Sequence, residues 1–215
     1  MPTVDPKKIK GPTIVDNSSN DRSCPWATSY PAVPGAEAAT VSMKKDVEGY
    51  LASYQDTGGE QTAGCGAEDA SEVPELDISF AFLVASGDVL GVRLMTQDHT
   101  ETGDGLSTKT YWNDGAAHTA PSAAGLIADG SRPAFLAAVR EQLKQREGSA
   151  PSRLAQLKDT DIDDVSFASD GALKVSFGRG TAGVPAAGRM TATSSRGRPS
   201  PRGCRTSANG SRTRP

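Results

Sequence analysis

The sequence predicts an α+β fold, in which a small antiparallel sheet of hairpins carries two helices packed on one face and is followed by a disordered, arginine-rich C-terminal tail. Residues 75–97 alternate between apolar and polar side chains, as half-buried strands do. Two other segments carry apolar side chains at helical spacing. The 215 residues include 23 Gly and 14 Pro and are only 36% hydrophobic, so we expect one modest core with many turns.

The first helix is predicted over residues 36–54. Its apolar side chains recur every three or four positions and form one stripe: Met43, Val47, Tyr50, Leu51 and Tyr54. Before it, Tyr30-Pro31 and Pro34-Gly35 bound a short extended piece. After it, residues 56–73 are acidic and rich in glycine, which predicts a surface loop.

Three strands are predicted next. The first two form an antiparallel hairpin, because apolar residues alternate on both sides of Ser86-Gly87-Asp88. A third strand covers residues 108–112 and ends at Asn113-Asp114-Gly115, whose last two residues suit the positive φ of a tight turn. The strands form a meander, and residues 99–105 are predicted to be a loop.

A second helix is predicted to begin at Ser131, which would act as its N-cap, with Pro133 in the first turn and Gly148 beyond the end. Its apolar stripe consists of Phe135, Leu136, Val139 and Leu143. A last hairpin turns at Asp170-Gly171. The apolar residues of its two strands are Val165, Phe167, Leu173, Val175 and Phe177, and the core ends near the last of these.

Three parts are predicted along the chain: a polar N-terminal segment or linker at residues 1–24, an α+β accessory domain at 25–178, and a basic tail at 179–215. The formal net charge is −3, but nine positive and no negative charges follow Asp170, so residues 1–170 carry −12. An acidic domain is poorly suited to a phosphate backbone, and we expect no nucleic acid partner. No apolar run approaches the ~18 residues of a membrane helix, and the first 20 residues do not form a signal peptide.

The tail supports several interpretations. Residues 191–215 contain six arginines but no large apolar residue, which predicts disorder. The arginines could bind RNA or anionic lipid, or could simply be solvated. The composition is also typical of GC-rich DNA read out of frame, and we hypothesise that the native frame is lost between Met190 and Gly203.

Catalytic patterns are weak. The only histidines, His99 and His118, lie in polar stretches without a nucleophile beside them. Ser42-Met43-Lys44-Lys45 matches the S-x-x-K motif of penicillin-recognising enzymes, but their partner motifs are missing, so we expect Lys45 to be a solvated helix residue. We therefore predict no catalytic residue in this chain; an enzyme using Ser42 or His99 remains a third hypothesis, without a base, an orienting group or an oxyanion site.

Metal-binding patterns are incomplete. Asp98-His99-x-Glu101 lacks a second histidine at i+4, so a zinc site is not expected. The residues from Asp159 place carboxylates at EF-hand positions 1, 3 and 5, but Asp164 stands where the loop needs Gly, and a strand follows where a helix is needed. We predict neither a metal nor another cofactor.

Two of the three cysteines lie in polar sequence on either side of the first helix. A disulfide between Cys24 and Cys65 would join these segments and imply an oxidising compartment, whereas two free thiols would suit the cytosol. Cys204 falls in the tail.

Several motifs taken together resemble a known family. They are Tyr30-Pro31-x-x-Pro34-Gly35, Glu75-Leu76-Asp77-Ile78-Ser79-Phe80, Val89-Leu90-Gly91-Val92-Arg93-Leu94, the run from Thr108 to Gly115, and the run from Val165 to Phe177. Residues 24–190 resemble the non-catalytic domain that precedes the catalytic domain of secreted NodB-type polysaccharide deacetylases from high-GC Gram-positive bacteria. They are more remotely similar to the lysozyme-sensing extracytoplasmic domain of RsiV-type anti-sigma factors.

This resemblance implies an extracellular or cell-surface accessory domain. The deacetylase motifs are absent, so no catalytic residue carries over, and the missing export signal implies a trimmed chain, a mis-assigned start or a truncated gene. The expected partners are peptidoglycan or another cell-wall glycan or, for a stand-alone sensor or inhibitor, a cationic protein such as lysozyme. An exposed aromatic ring could stack on a sugar, although Trp112 could instead be a core residue. The candidate ligand-binding residues are His99, Glu101, Asp104, Tyr111 and Trp112.

Overall fold

Eight strands in two sheets and three α-helices make up the described part of the chain. The computed structural model describes residues 11–21, 24–56, 75–86, 88–100, 103–145, 151–168, 172–178 and 190–194. The elements are β1 (Thr13–Ser19), β2 (Trp26–Ala32), α1 (Glu37–Gln55), β3 (Glu75–Ser86), β4 (Val89–Thr100), β5 (Gly103–Asp114), α2 (Arg132–Lys144), α3 (Pro151–Gln156), β6 (Asp164–Phe167), β7 (Leu173–Phe177) and β8 (Met190–Ser194). This architecture confirms the predicted α+β class.

The larger sheet has the order β1-β2-β3-β4-β5. The β3–β4 and β4–β5 pairs are antiparallel, which confirms the predicted meander, and β1 pairs antiparallel with β2. The strands β2 and β3 are parallel, an arrangement that requires a crossover connection, and α1 lies in that connection.

One face of this sheet is covered by α1. Ala39, Met43 and Val47 are its buried residues, and they pack in one cluster with sheet residues such as Phe82 and Val92. Tyr50, which was predicted to belong to the buried stripe, is 41% exposed. The predicted helix is therefore confirmed, with a buried stripe centred closer to its N-terminus.

The smaller sheet, in the order β6-β7-β8, forms a second core with α2 and α3. Phe135, Val139 and Leu143 of α2 are buried there, as their spacing predicted. Ser131 occupies the N-cap of α2 without making a side-chain hydrogen bond to it, and Gly148 lies outside the described residues.

The arrangement differs from the prediction in three respects. The two helices do not share one face of one sheet, because α1 and α2 belong to separate hydrophobic clusters. Part of the segment assigned to a linker forms the strand β1, and part of the segment assigned to the tail forms β8. Both strands add to the edge of a sheet through backbone hydrogen bonds, and neither shows the apolar alternation from which strands are predicted.

The two sheets meet at β5 and β6. The Thr110 amide donates to the Asp163 carbonyl oxygen (2.8 Å), and the Val165 amide donates to the Thr110 hydroxyl (3.0 Å). The fully buried Asp164 carboxylate pairs with Arg93 of β4 (2.7 Å). None of the helices in the described ranges combines the length and apolar character that a membrane-spanning helix needs.

Candidate functional site

A cleft of about 290 Å³ lies between α1 and the edge strand β5. Lys109 and Tyr111 are two positions apart on β5, so their side chains lie on the same face of the strand, the face toward α1. Asp46 and Ser42 lie one turn apart on the helix above them. The remaining lining residues include Lys45, Trp112, Pro121, Ser122 and Asp163. Because Trp112 follows Tyr111 directly, the cleft is lined by residues from both faces of β5.

The centre of the cleft is one carboxylate with two donors. Asp46 Oδ2 accepts a hydrogen bond from the Tyr111 hydroxyl (2.5 Å) and forms an ion pair with Lys109 Nζ (2.7 Å). The same ammonium lies 5.7 Å from the centre of the Tyr111 ring. Charge-assisted bonds of this kind are stronger than neutral ones, so the three side chains hold one another in place.

The local environment changes the acidity of these groups. Burial, together with the hydrogen bond to Asp46, raises the pKa of Tyr111 well above its ordinary value of 10.0. Burial disfavours the charge on Lys109, but its hydrogen bond and attraction to Asp46 outweigh this and raise the pKa of Lys109. Shielding from water raises the pKa of Asp163, although the charge of Lys109 opposes that shift.

We expect Tyr111 to make the fold sensitive to alkali. A phenol whose pKa is raised by folding contributes stability that is fully present below its unfolded pKa of about 10. This contribution is lost progressively as the pH rises from the unfolded pKa through the folded one. At about pH 11 the loss is about 1.4 kcal/mol, since one pKa unit corresponds to that free energy. Urea unfolding at about pH 8 and pH 11 should show a smaller loss for Tyr111→Phe than for wild type. Equal losses in the two proteins would contradict this assignment.

Ser42 and Lys45 both line the cleft, but they do not form a nucleophile and base. The Ser42 hydroxyl donates to the backbone carbonyl oxygen of Ala38 (2.9 Å), one helical turn back, and not to Lys45. An activated serine needs a base within hydrogen-bond reach of its proton. Within the described ranges, no three His, Cys, Asp or Glu side chains converge in a way that suits a metal ion.

Two of the predicted binding residues line the cleft but are mostly buried. Tyr111 is 6% exposed and Trp112 is 3% exposed. The Trp112 indole donates to the Val165 carbonyl oxygen (3.2 Å), and its ring packs edge-on against Phe167. Of the two alternatives for Trp112, its burial supports the core residue. The role of Tyr111 and Trp112 in ligand binding stays a prediction.

The other predicted binding residues lie elsewhere. His99 lies on β4 opposite Asp104 of β5, so the predicted loop 99–105 is largely two paired strands. The β4–β5 pairing continues through this polar end of the hairpin by cross-strand contacts, which do not require apolar side chains. His99 is not one of the described residues that line the cleft, and the side chain of Asp104 and all of Glu101 lie outside what the structure describes.

The predicted disulfide can be followed at one end. Cys24 is disulfide-bonded. Cys65 lies outside the described residues, as does the acidic glycine-rich loop around it. The Cys24–Cys65 pairing stays a prediction.

Three residues that line the cleft were not predicted from sequence as binding residues: Asp46, Lys109 and Asp163. Two signals could have found the first two. Lys109 shares the parity of Tyr111 on β5, and Asp46 borders the buried face of α1 next to Val47. Asp163 comes from the segment before β6, and no local pattern places that segment beside β5.

Comparison with known proteins identifies the fold. No family model matches the chain, and no curated protein matches it. A member of the DUF3298 family from Bacteroides fragilis NCTC 9343 has a similar structure, with a TM-score of 0.51 and 10% identity over 85% of this chain and 88% of that chain. A DUF3298 family protein from Pseudomonas aeruginosa PAO1 has a TM-score of 0.52 and 11% identity over 86% of this chain and 90% of that chain. At these identities the similarity shows a common fold.

Proposed function

We propose that this chain is a non-catalytic, extracytoplasmic domain that binds a cell-wall glycan in the cleft between α1 and β5, as the accessory part of a polysaccharide deacetylase. The observation that carries the proposal is the composition of the cleft. Asp46 and Asp163 are acceptors there, and Lys45 and Lys109 are donors. Sugar hydroxyl groups both donate and accept hydrogen bonds, so a mixed set of this kind suits them.

The size and floor of the cleft support the same ligand class. A volume of about 290 Å³ is near the lower end of the range for small-molecule pockets, about 300–1,000 Å³, and suits one sugar unit of a chain. Ala39, Pro121 and Ala123 add apolar surface, against which the carbon-bound hydrogens of a sugar ring can pack.

Binding suits this cleft better than catalysis. Ser42 donates to its own helix, and Asp46 is engaged by both Lys109 and Tyr111. A general base needs an acceptor atom that faces the proton it takes, and Oδ2 of Asp46 already contacts two donors of the protein itself.

The extracytoplasmic, cell-wall assignment rests on two supports. The first is the resemblance of residues 24–190 to the domain that precedes NodB-type deacetylases. The second is the disulfide at Cys24, a feature more usual in oxidising compartments than in the cytosol.

The test is a calorimetric titration of the full chain with soluble peptidoglycan fragments. We expect Asp163→Asn and Lys109→Met each to weaken binding by about tenfold or more, because a hydrogen bond to a charged group contributes about 1.5–3 kcal/mol. The matched control is Asp129→Asn, which changes a carboxylate that is 89% exposed and outside the cleft. Equal affinity of all the proteins, or no binding by wild type, would refute glycan binding in this cleft.

A second candidate function is the capture of a cationic protein such as lysozyme. The charge of −12 on residues 1–170 favours it, since complementary charge steers association. In the same titration with lysozyme, binding that weakens steeply with salt and is unchanged by Asp163→Asn would support this function in place of the first.

A further inference from the structure

A second, basic groove of about 890 Å³ is lined by residues of α2, α3 and the turn Asp159–Asp161 that follows α3. Three of its lining side chains are cationic: Arg140 of α2, Arg153 of α3 and Lys158. One, Asp161, is anionic. The groove is therefore locally positive on a domain that is otherwise strongly acidic.

The carboxylate in the groove already has a structural role. Asp161 Oδ2 accepts a hydrogen bond from the Lys158 backbone amide (2.7 Å), which closes the turn. The carboxylate keeps its negative charge, and the three cations and one anion of the lining leave the groove with a net charge of +2.

Arg140 provides an independent indication of a ligand. One guanidinium nitrogen, Nη2, donates to the Leu157 backbone carbonyl oxygen and so anchors the side chain. Its Nε is buried and has no acceptor, and it is the only side-chain nitrogen or oxygen in that state within the part of the chain that the structure describes. A buried donor without a partner costs about 1–3 kcal/mol, so an acceptor supplied by a ligand would be favoured.

We propose that this groove binds a phosphate group. Guanidinium forks match the oxygens of phosphate, and a lysine adds a mobile point charge to the same anion. Arg140, anchored through Nη2, is the fixed element of the site, and the exposed Lys158 adds a second positive charge to the same lining. Thr160 lies beside them and supplies a hydroxyl donor.

The position of the groove indicates how a phosphate could be presented. Thr160 and Asp161 also line a smaller cleft of about 240 Å³, which includes Lys109 and Asp163. These last two residues belong to the candidate glycan site. A linear polymer that carries phosphodiesters could therefore reach both, whereas inorganic phosphate would occupy only the basic groove.

The test is a calorimetric titration of the full chain with inorganic phosphate and, separately, with a soluble poly(glycerol phosphate), at constant ionic strength. We expect Lys158→Gln and Arg140→Lys each to weaken phosphate binding by about fivefold to tenfold, since each removes a charge-assisted contact. The matched control is Lys144→Gln, an exposed lysine of α2 that pairs with Glu141 outside the groove. The arginine-rich tail is present in every variant, so it does not contribute to the differences.

Each outcome decides the proposal. Tighter binding of the polymer than of inorganic phosphate, with the same sensitivity to Lys158→Gln, identifies a polymer site; binding of inorganic phosphate alone identifies a small-anion site. Equal affinities for wild type, Lys158→Gln and Lys144→Gln, or no binding of either ligand, would overturn it. Asp163→Asn leaves the cations of the basic groove in place, so the proposals of a glycan site and of a phosphate site can be refuted independently of each other.

Discussion

Replacing Arg93 with methionine is expected to lower the free energy of unfolding by about 3–5 kcal/mol. Asp164 is fully buried, and its carboxylate is held by Arg93 Nη2 and Nε (2.7 and 3.2 Å) and by the Thr108 hydroxyl (2.5 Å). Methionine fills much of the same volume but leaves the carboxylate without a counter-charge. A buried charge that loses its partner is far more costly than an exposed one.

The position of this ion pair adds to its importance. Arg93 belongs to β4 of the larger sheet and Asp164 to β6 of the smaller one, and Arg93 also donates to Ser166 (3.1 Å). Loss of the pair therefore weakens the contact between the two sheets that positions Asp163 beside the cleft.

Urea unfolding followed by tryptophan fluorescence would measure the effect. The double variant Arg93→Met/Asp164→Asn should recover much of the loss, since removing both charges leaves no unpaired ion. Lys44→Met, which breaks an exposed i,i+4 pair with Glu48, is the control and should cost less than about 1 kcal/mol. If Arg93→Met behaved like that control, the pair would not hold the two sheets together.

The second large effect is expected at Gly91. This residue pairs with Trp112 on the neighbouring strand, and a Cβ at Gly91 would lie 2.6 Å from Trp112 Cζ3 and 2.8 Å from Cη2. The Trp112 ring cannot easily move, because its indole nitrogen donates a hydrogen bond to the Val165 carbonyl oxygen and the ring packs edge to face with Phe167. Overpacking of this kind costs about 1–3 kcal/mol, and we expect Gly91→Ala to lie at the upper end.

The matched control is Gly49→Ala. Gly49 lies inside α1, and a Cβ there meets nothing within 4 Å. Because alanine favours a helix over glycine, this variant should gain about 0.5–1 kcal/mol. We expect the melting temperature to fall in Gly91→Ala and to rise in Gly49→Ala. A shift of the tryptophan fluorescence maximum in Gly91→Ala alone would indicate that Trp112 is displaced. A Gly91→Ala protein as stable as wild type would mean that the ring is loosely held.

The sequence alone determined the elements that have a strong apolar period. The helix α1, the meander of β3, β4 and β5, and the stripe of α2 were predictable, because side chains that repeat every two or about 3.6 residues must share one face. The short helix α3 was not predicted, since six residues span less than two turns and show no period.

The last hairpin, β6 and β7, was predicted from sequence. Only the tertiary structure decided that β8 extends this hairpin into a second sheet, that this sheet lies apart from α1, and which residues line the cleft and the basic groove. Arg93 alternates with Val92 and Leu94 as if it faced water, and Asp164 follows an acidic turn, yet packing of the two sheets buries them as a pair. Asp46, Lys109 and Asp163 likewise come from three distant segments. Side-chain periodicity states which face of an element is buried, but it contains no information on which charged residue of another element will meet that face, because long-range pairing depends on the packing of the whole chain.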